Sequence, residues 1–181
     1  TYQIAANGVA QSIWSLAALV GSAMGPVFIT VIGQCMGAKD VDQAKCYFSK
    51  LIKWSLVFSI VWNVLVLAIT PFILQFYNLT YETKHLIFIL VIIHNIANTV
   101  VFPLSGPLSQ GLRATGDVKF TMIVSIASTV GGRLVLSILL ALKLNLGVIG
   151  IALAMCGDWT IRAIIFYYRY KSNAWTKFEV I

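Results

Sequence analysis

The sequence predicts an all-α fold, a polytopic bundle of about five transmembrane helices. Three observations carry that expectation. Of the 181 residues, 59% are hydrophobic and 10% are charged, with a mean hydropathy of +0.88; soluble domains carry about 25% charged residues. The apolar residues fall into five runs, each long enough to cross a hydrocarbon core of about 30 Å. The basic residues fall between those runs and crowd alternate connections. A membrane barrel would instead show strands of about ten residues alternating apolar and polar, and these runs are continuously apolar.

The first run, Ile4–Ile32, exceeds the hydrocarbon thickness at about 1.5 Å per residue. Within it Ala17, Gly21 and Gly25 repeat at helical spacing, which lets a neighbouring backbone approach closely. Gly25 and Pro26 predict a hinge, because proline lacks the amide donor and clashes with the preceding turn. Gly37 follows the run, and Asp40 with Gln43 three residues on has the pattern of a capping box. It opens a short amphipathic helix, Val41–Lys50, leading into the second span, Leu51–Phe76. Asn78 and Thr80 mark the next turn. The third span, Leu86–Leu108, ends in Pro103, Gly106 and Pro107, where a second bend is expected. Gly111, Gly116 and Asp117 form the following turn, with Asp117 placed to cap the fourth span, Phe120–Leu142. Asn145 and Gly147 make a tight turn into the fifth, Leu146–Tyr168.

Lys39, Lys45, Lys50 and Lys53 flank the first connection, Arg113 and Lys119 the third, and Arg169, Lys171 and Lys177 the tail. The second and fourth connections hold only Lys84 and Lys143, a split of nine to two. The positive-inside rule makes the nine-residue side cytoplasmic, with the N-terminus outside and the C-terminus inside a multi-pass plasma-membrane protein. Starting outside implies at least one earlier span. Tyr77 and Tyr81 on the outer edge, and Tyr47, Trp54, Tyr170 and Trp175 on the inner one, fit interfacial aromatic belts. The net charge of +7 is explained by these connections, so the partner is a lipid bilayer and not a nucleic acid. Cys35, Cys46 and Cys156 have no metal-ligand spacing and read as free thiols.

Polar residues inside the spans are the candidates for chemistry. Gln3, Asn7, Gln11 and Ser15 share one face of the first span. Two readings stay open: hydrogen bonding between helices, about 0.6 kcal/mol per contact, or the lining of a wet cavity. His94 and Asn98 share a face of the third span with Phe102 and Ser105, and Asn95 lies beside them; structural bonding and substrate or proton handling are both open there. Arg133 and Asp158 each cost about 2.5–3.5 kcal/mol at a span's centre. Asp158 and Arg162 lie i, i+4 with the acid first, the favourable orientation for an intramembrane ion pair. Arg133, in the outer half of its span, either snorkels or faces a cavity. No HExxH, nucleophile elbow or P-loop is present, so no catalytic group, metal site or cofactor is assigned and an enzyme is not expected.

Three stretches, VIGQCMGAKDVDQAK (Val31–Lys45), QGLRATGDVKF (Gln110–Phe120) and GVIGIALAMCGDWTIRAIIFYYRYKSNAW (Gly147–Trp175), together resemble the multidrug and toxic compound extrusion (MATE) family. FYNLTYETK after the second span is similar to family sequence as well. The resemblance implies a twelve-span, two-lobe transporter of which this chain is the last five spans, residues 1–181 being the C-terminal lobe without the N-terminal lobe and one further span. It implies cation-coupled antiport, Na⁺ or H⁺ against a small amphipathic or drug-like substrate, by alternating access. The resemblance places coupling carboxylates in the N-terminal lobe in some branches and in spans seven and ten in others; Leu86–Leu108 carries no acid, which disfavours the span-ten branch and puts coupling on residues outside this chain. Asn7, Gln11, His94, Asn98 and Arg133 are the residues expected to line the cavity, with Gly25, Pro26, Pro103 and Pro107 as hinges. Two alternatives stand beside it: a related lipid-linked saccharide flippase, which needs several cationic residues in its cavity, and a non-transporting membrane subunit.

Overall fold

A computed structural model describes residues 2–178, and every regular element among them is helical. Five stretches are long and apolar enough to cross a membrane: Leu19–Gly37, Val41–Gln75, Tyr81–Ala114, Val118–Lys143 and Gly147–Lys171. They match the five expected spans in order, with differences at the first, second and fourth.

The first apolar run is two helices, α1 (Tyr2–Ala17) and α2 (Leu19–Gly37), interrupted at Ala18. The interruption lies upstream of the Gly25–Pro26 pair, and α2 continues through Pro26. A side chain explains the position. Trp62 Nε1 donates to the Leu16 carbonyl at 2.9 Å, and a side chain inserted into the backbone ladder is a recognised cause of a break. α3 (Val41–Gln75) is one helix of 35 residues, so Val41–Lys50 forms its first turns and not a separate element. At about 52 Å it outreaches the hydrocarbon core. Asp40 caps it, its Oδ1 accepting from the Gln43 amide at 2.9 Å. The capping box is half made, because the Gln43 side chain accepts instead from Cys35 Sγ at 3.6 Å.

α4 (Tyr81–Ser105) passes through Pro103 and stops at Gly106; Pro107 then opens α5 (Pro107–Ala114). Proline suits a first helical position, where its missing amide would have had no partner. The fourth span, Val118–Lys143, is irregular: α6 (Val118–Ala127), a π-helical stretch Ser128–Arg133, α7 (Leu134–Ile138) and a second π-helical stretch Leu139–Lys143. The turn uses positive φ at Asn145 (52°) and Gly147 (53°). α8 (Gly147–Lys171) then returns so close to the fourth span that a Cβ on Gly150 would lie 2.7 Å from the backbone of Leu140 and Ala141. A 3₁₀ turn, Ala174–Lys177, ends the described chain.

The core has three levels. At one end Ala6, Ala10, Ile13 and Ala17 of α1 pack with Val66, Leu74, Ile87 and Leu90. At the other, Phe28 and Ile32 of α2 pack with Phe48, Leu108, Leu112, Phe166 and Trp175. α1 and α2 thus form the two halves of one crossing, and the break at Ala18 falls between the levels. The first connection, the third and the tail meet at the second of these ends: Arg169 pairs with Asp117, and Tyr170 bonds to Ser49.

Two residues at this basic end differ from expectation. Asp117 caps nothing with its side chain. Its carboxylate accepts from Arg169 Nε at 2.8 Å and Nη2 at 3.4 Å, a two-pronged charged contact that outweighs a single amide. Trp175 is fully buried and belongs to the core, not to an interfacial belt. Trp54 and Tyr81 are exposed, as belt residues must be.

Candidate functional site

The third level, between the two apolar clusters, is built from Ala97, Met155 and Trp159 with Trp14, Val101 and Phe102 around them. α1 brings Trp14, α4 brings His94, Asn95, Asn98 and Phe102, α8 brings Met155 and Trp159, and α3 brings Asn63. Trp14 and Trp159 stack at 5.5 Å, and Phe102 meets Trp159 edge-on at 5.5 Å. The His94 ring lies 6.4 Å from Trp14 and 6.5 Å from Trp159.

Polar bonding in this layer is incomplete. His94 Nδ1 lies 2.8 Å from the Leu90 carbonyl, which can only accept, so Nδ1 carries the proton. Nε2 is then the open position, buried and without a partner among the described residues. Asn98 Nδ2 donates to Asn63 Oδ1 at 3.0 Å, and Asn63 Nδ2 donates to the Ser59 carbonyl at 2.8 Å. Asn98 Oδ1, Asn95 Nδ2 and Trp14 Nε1 are also buried and unpaired. A buried amide or hydroxyl without a partner costs about 1–3 kcal/mol. Four such atoms lie in this layer, two of them donors.

The other expected residues sit around this layer. Asn7 and Gln11 are half-buried on α1, at i−7 and i−3 from Trp14 and so on its face, and neither makes a side-chain hydrogen bond among the described residues. Gln3 and Ser15 of the same stripe are exposed. Arg133 ends the first π-helical stretch and points Nη2 at Met155 Sδ, 2.8 Å away. His94 and Asn98 are 1% and 2% exposed, enclosed within this lobe. Gly25 and Pro26 lie inside α2, Pro103 inside α4, and Pro107 begins α5; of the four expected hinge residues Pro103 and Pro107 thus flank a break, at Gly106, whereas the break at Ala18 lies upstream of Gly25 and Pro26.

Asp158 and Arg162 form the expected pair, with Asp158 fully buried. A third member was absent from the sequence reading: Ser128 Oγ also donates to the Asp158 carboxylate. Ser128 and Arg133 are the two ends of the π-helical stretch, so α8 holds it at both, through Asp158 and Met155. Sequence reasoning also missed Asn63, Trp14 and the placing of Trp159. A tryptophan in an apolar run looks like any other core residue, and the Asn63–Asn98 separation carries no helical period.

The comparisons with known proteins agree with this architecture. The sequence model of the MatE family matches residues 1–139. A curated relative, the "Uncharacterized transporter YisQ" of Bacillus subtilis (strain 168), is 27% identical over 169 residues, 91% of this chain and 36% of the relative. The chain therefore spans about a third of that relative's length. No solved structure matches. A family match across more than half of the sequence, on a bundle of five membrane-length helices, makes this chain a multi-pass membrane protein belonging to the MatE family.

Proposed function

We propose that the complete protein is a cation-coupled antiporter exporting drug-like or organic cationic compounds across the plasma membrane, with this chain supplying most of one lobe. One observation carries the reading: a crossing helix is broken at Ala18, at the level where unpaired buried donors and acceptors gather. Secondary transporters place interrupted helices and polar sites together near the midplane, where two bundles rock about them. The relative's printed description, a transporter, supports the same class.

His94 brings an imidazole, able to bind and release a proton, into this layer. A proton arriving at Nε2 turns an acceptor into a donor, so the layer presents different partners in its two charge states. The faces of Trp14, Trp159 and Phe102 suit a flat or cationic substrate. Asn7 and Gln11 continue that lining towards the end of the bundle holding Lys84, and Arg133 borders it. A saccharide-pyrophosphate flippase fits less well, because Arg133 is the one cation beside the layer and it already faces Met155.

The test is efflux of ethidium from everted vesicles carrying the complete protein, driven by an imposed proton or sodium gradient. His94→Ala and Asn98→Ala are each expected to slow gradient-driven efflux about tenfold or more, with the protein still inserted. Efflux unchanged in both variants removes the site from the transport cycle.

A further inference from the structure

A groove runs along the outside of the bundle between α2 and α3. Its first part is apolar, lined by Met24 and Val27 of α2 and by Leu51, Trp54 and Phe58 of α3, with a volume of about 440 Å³. Directly beyond it, towards the basic end and between the same two helices, lies a hollow of about 390 Å³ with a mixed lining, Val31, Gln34 and Cys35 of α2 and Ala38 just past its end, with Gln43 and Tyr47 at the start of α3. Gln43, Tyr47, Leu51, Trp54 and Phe58 succeed one another on one face of α3, so the two hollows are one amphipathic channel. Trp54 and Phe58 are 53% and 47% exposed and stack on each other at 5.4 Å.

The length and charge of this channel fit one occupant. Gln43 to Phe58 rises about 22 Å along the helix, the thickness of one leaflet with its headgroups. Lys50 lies i+3 from Tyr47, its Nζ 5.7 Å from that ring, and i−4 from Trp54. Lys53, i+3 from Lys50, shares that residue's outward face of α3, and Lys39 lies in the turn at the mouth. The two acids nearby are engaged: Asp40 caps α3, and Asp42 pairs with Lys45.

We infer that the α2–α3 groove is a binding site for an anionic phospholipid of the leaflet at the basic end, with an acyl chain against Trp54 and Phe58 and the phosphate held by Lys50 and Lys53. The site is independent of the polar layer and of any transport activity. It is a specific position on the lipid-facing surface, unlike the general attraction of a basic connection for an acidic membrane.

Trp54 is a built-in reporter. The complete protein would be reconstituted in bilayers containing brominated phosphatidylglycerol or brominated phosphatidylcholine, and the Trp54 component of quenching obtained by subtracting the Trp54→Phe variant. Phosphatidylglycerol is expected to be preferred on the order of tenfold, as two lysines near the headgroup plane require. Lys50→Gln with Lys53→Gln should bring the preference to near unity, while Lys50→Arg with Lys53→Arg should retain it. The variant positions face away from the core, so a matching thermal midpoint confirms that folding is intact. Equal quenching by the two lipids in the native protein overturns the inference. So does a preference that survives the double glutamine variant, or a Trp54 that no brominated lipid reaches because another protein segment covers it.

Discussion

Asp158→Ala is expected to destabilise the protein by about 3–5 kcal/mol, the usual consequence of removing one partner from a buried ion pair. Asp158 is fully buried, and its carboxylate accepts from Ser128 on the fourth span and from Arg162 on its own helix. Without it the Arg162 guanidinium, whose Nε is already buried and unpaired, has no counter-charge among the described residues. The Ser128 hydroxyl, at the start of the π-helical stretch, loses the carboxylate as well and keeps only the backbone carbonyl of residue 158, 3.3 Å away. The measurement is the thermal midpoint of the complete protein in detergent. Asp158→Leu combined with Arg162→Leu should recover much of the loss, because an apolar pair removes the stranded charge along with its partner. A midpoint unchanged in Asp158→Ala would mean that the pair contributes nothing to holding α8 against the fourth span.

The second large effect lies just beyond the C-terminal end of α8. Trp175→Ala is expected to cost about 3–5 kcal/mol, as large aromatic truncations in packed cores do. The indole is fully buried, its ring centroid is 4.8 Å from that of Phe48, and its Nε1 donates to the Tyr170 carbonyl at 3.1 Å. It folds the tail back over the ends of α3 and α8, next to the Asp117–Arg169 contact. Trp175→Phe keeps the stacking and gives up mainly the hydrogen bond, about 1 kcal/mol. The check is thermal midpoint together with protease sensitivity of the tail: the alanine variant should be cut faster and melt lower, and the phenylalanine variant should lie near the native protein. Identical cleavage of all three would contradict the tail's role as a packed element.

The spans were legible because hydrocarbon demands continuous apolar runs, and nothing soluble imitates runs such as Leu51–Phe76. The Asp158–Arg162 pair was legible because its partners are one helical turn apart. What escaped depended on contacts between distant segments. The break in the first crossing sits at Ala18, where Trp62 reaches the Leu16 carbonyl from a helix far along the chain, and local rules pointed instead to Pro26. Asp117 looked like a cap because its neighbours on the chain suited one, and Arg169, which claims it, comes from the last helix. In the polar layer His94, Asn95 and Asn98 stood out as polar residues in an apolar run. Their companions did not: Asn63 lies on another helix, and Trp14 and Trp159 acquire meaning only when three helices converge.

The central claim is that five helices cross the bilayer in alternation and leave the lysine-rich connections together on one side. Cysteine labelling tests it most directly, using the complete protein in intact cells with Cys35, Cys46 and Cys156 replaced by serine and a single cysteine returned at position 45 or 84. With a membrane-impermeant maleimide added outside, Lys84→Cys should label and Lys45→Cys should label only after the membrane is opened. Equal labelling of both positions before the membrane is opened would place them in one compartment and contradict the fold, the sidedness and the transport reading together.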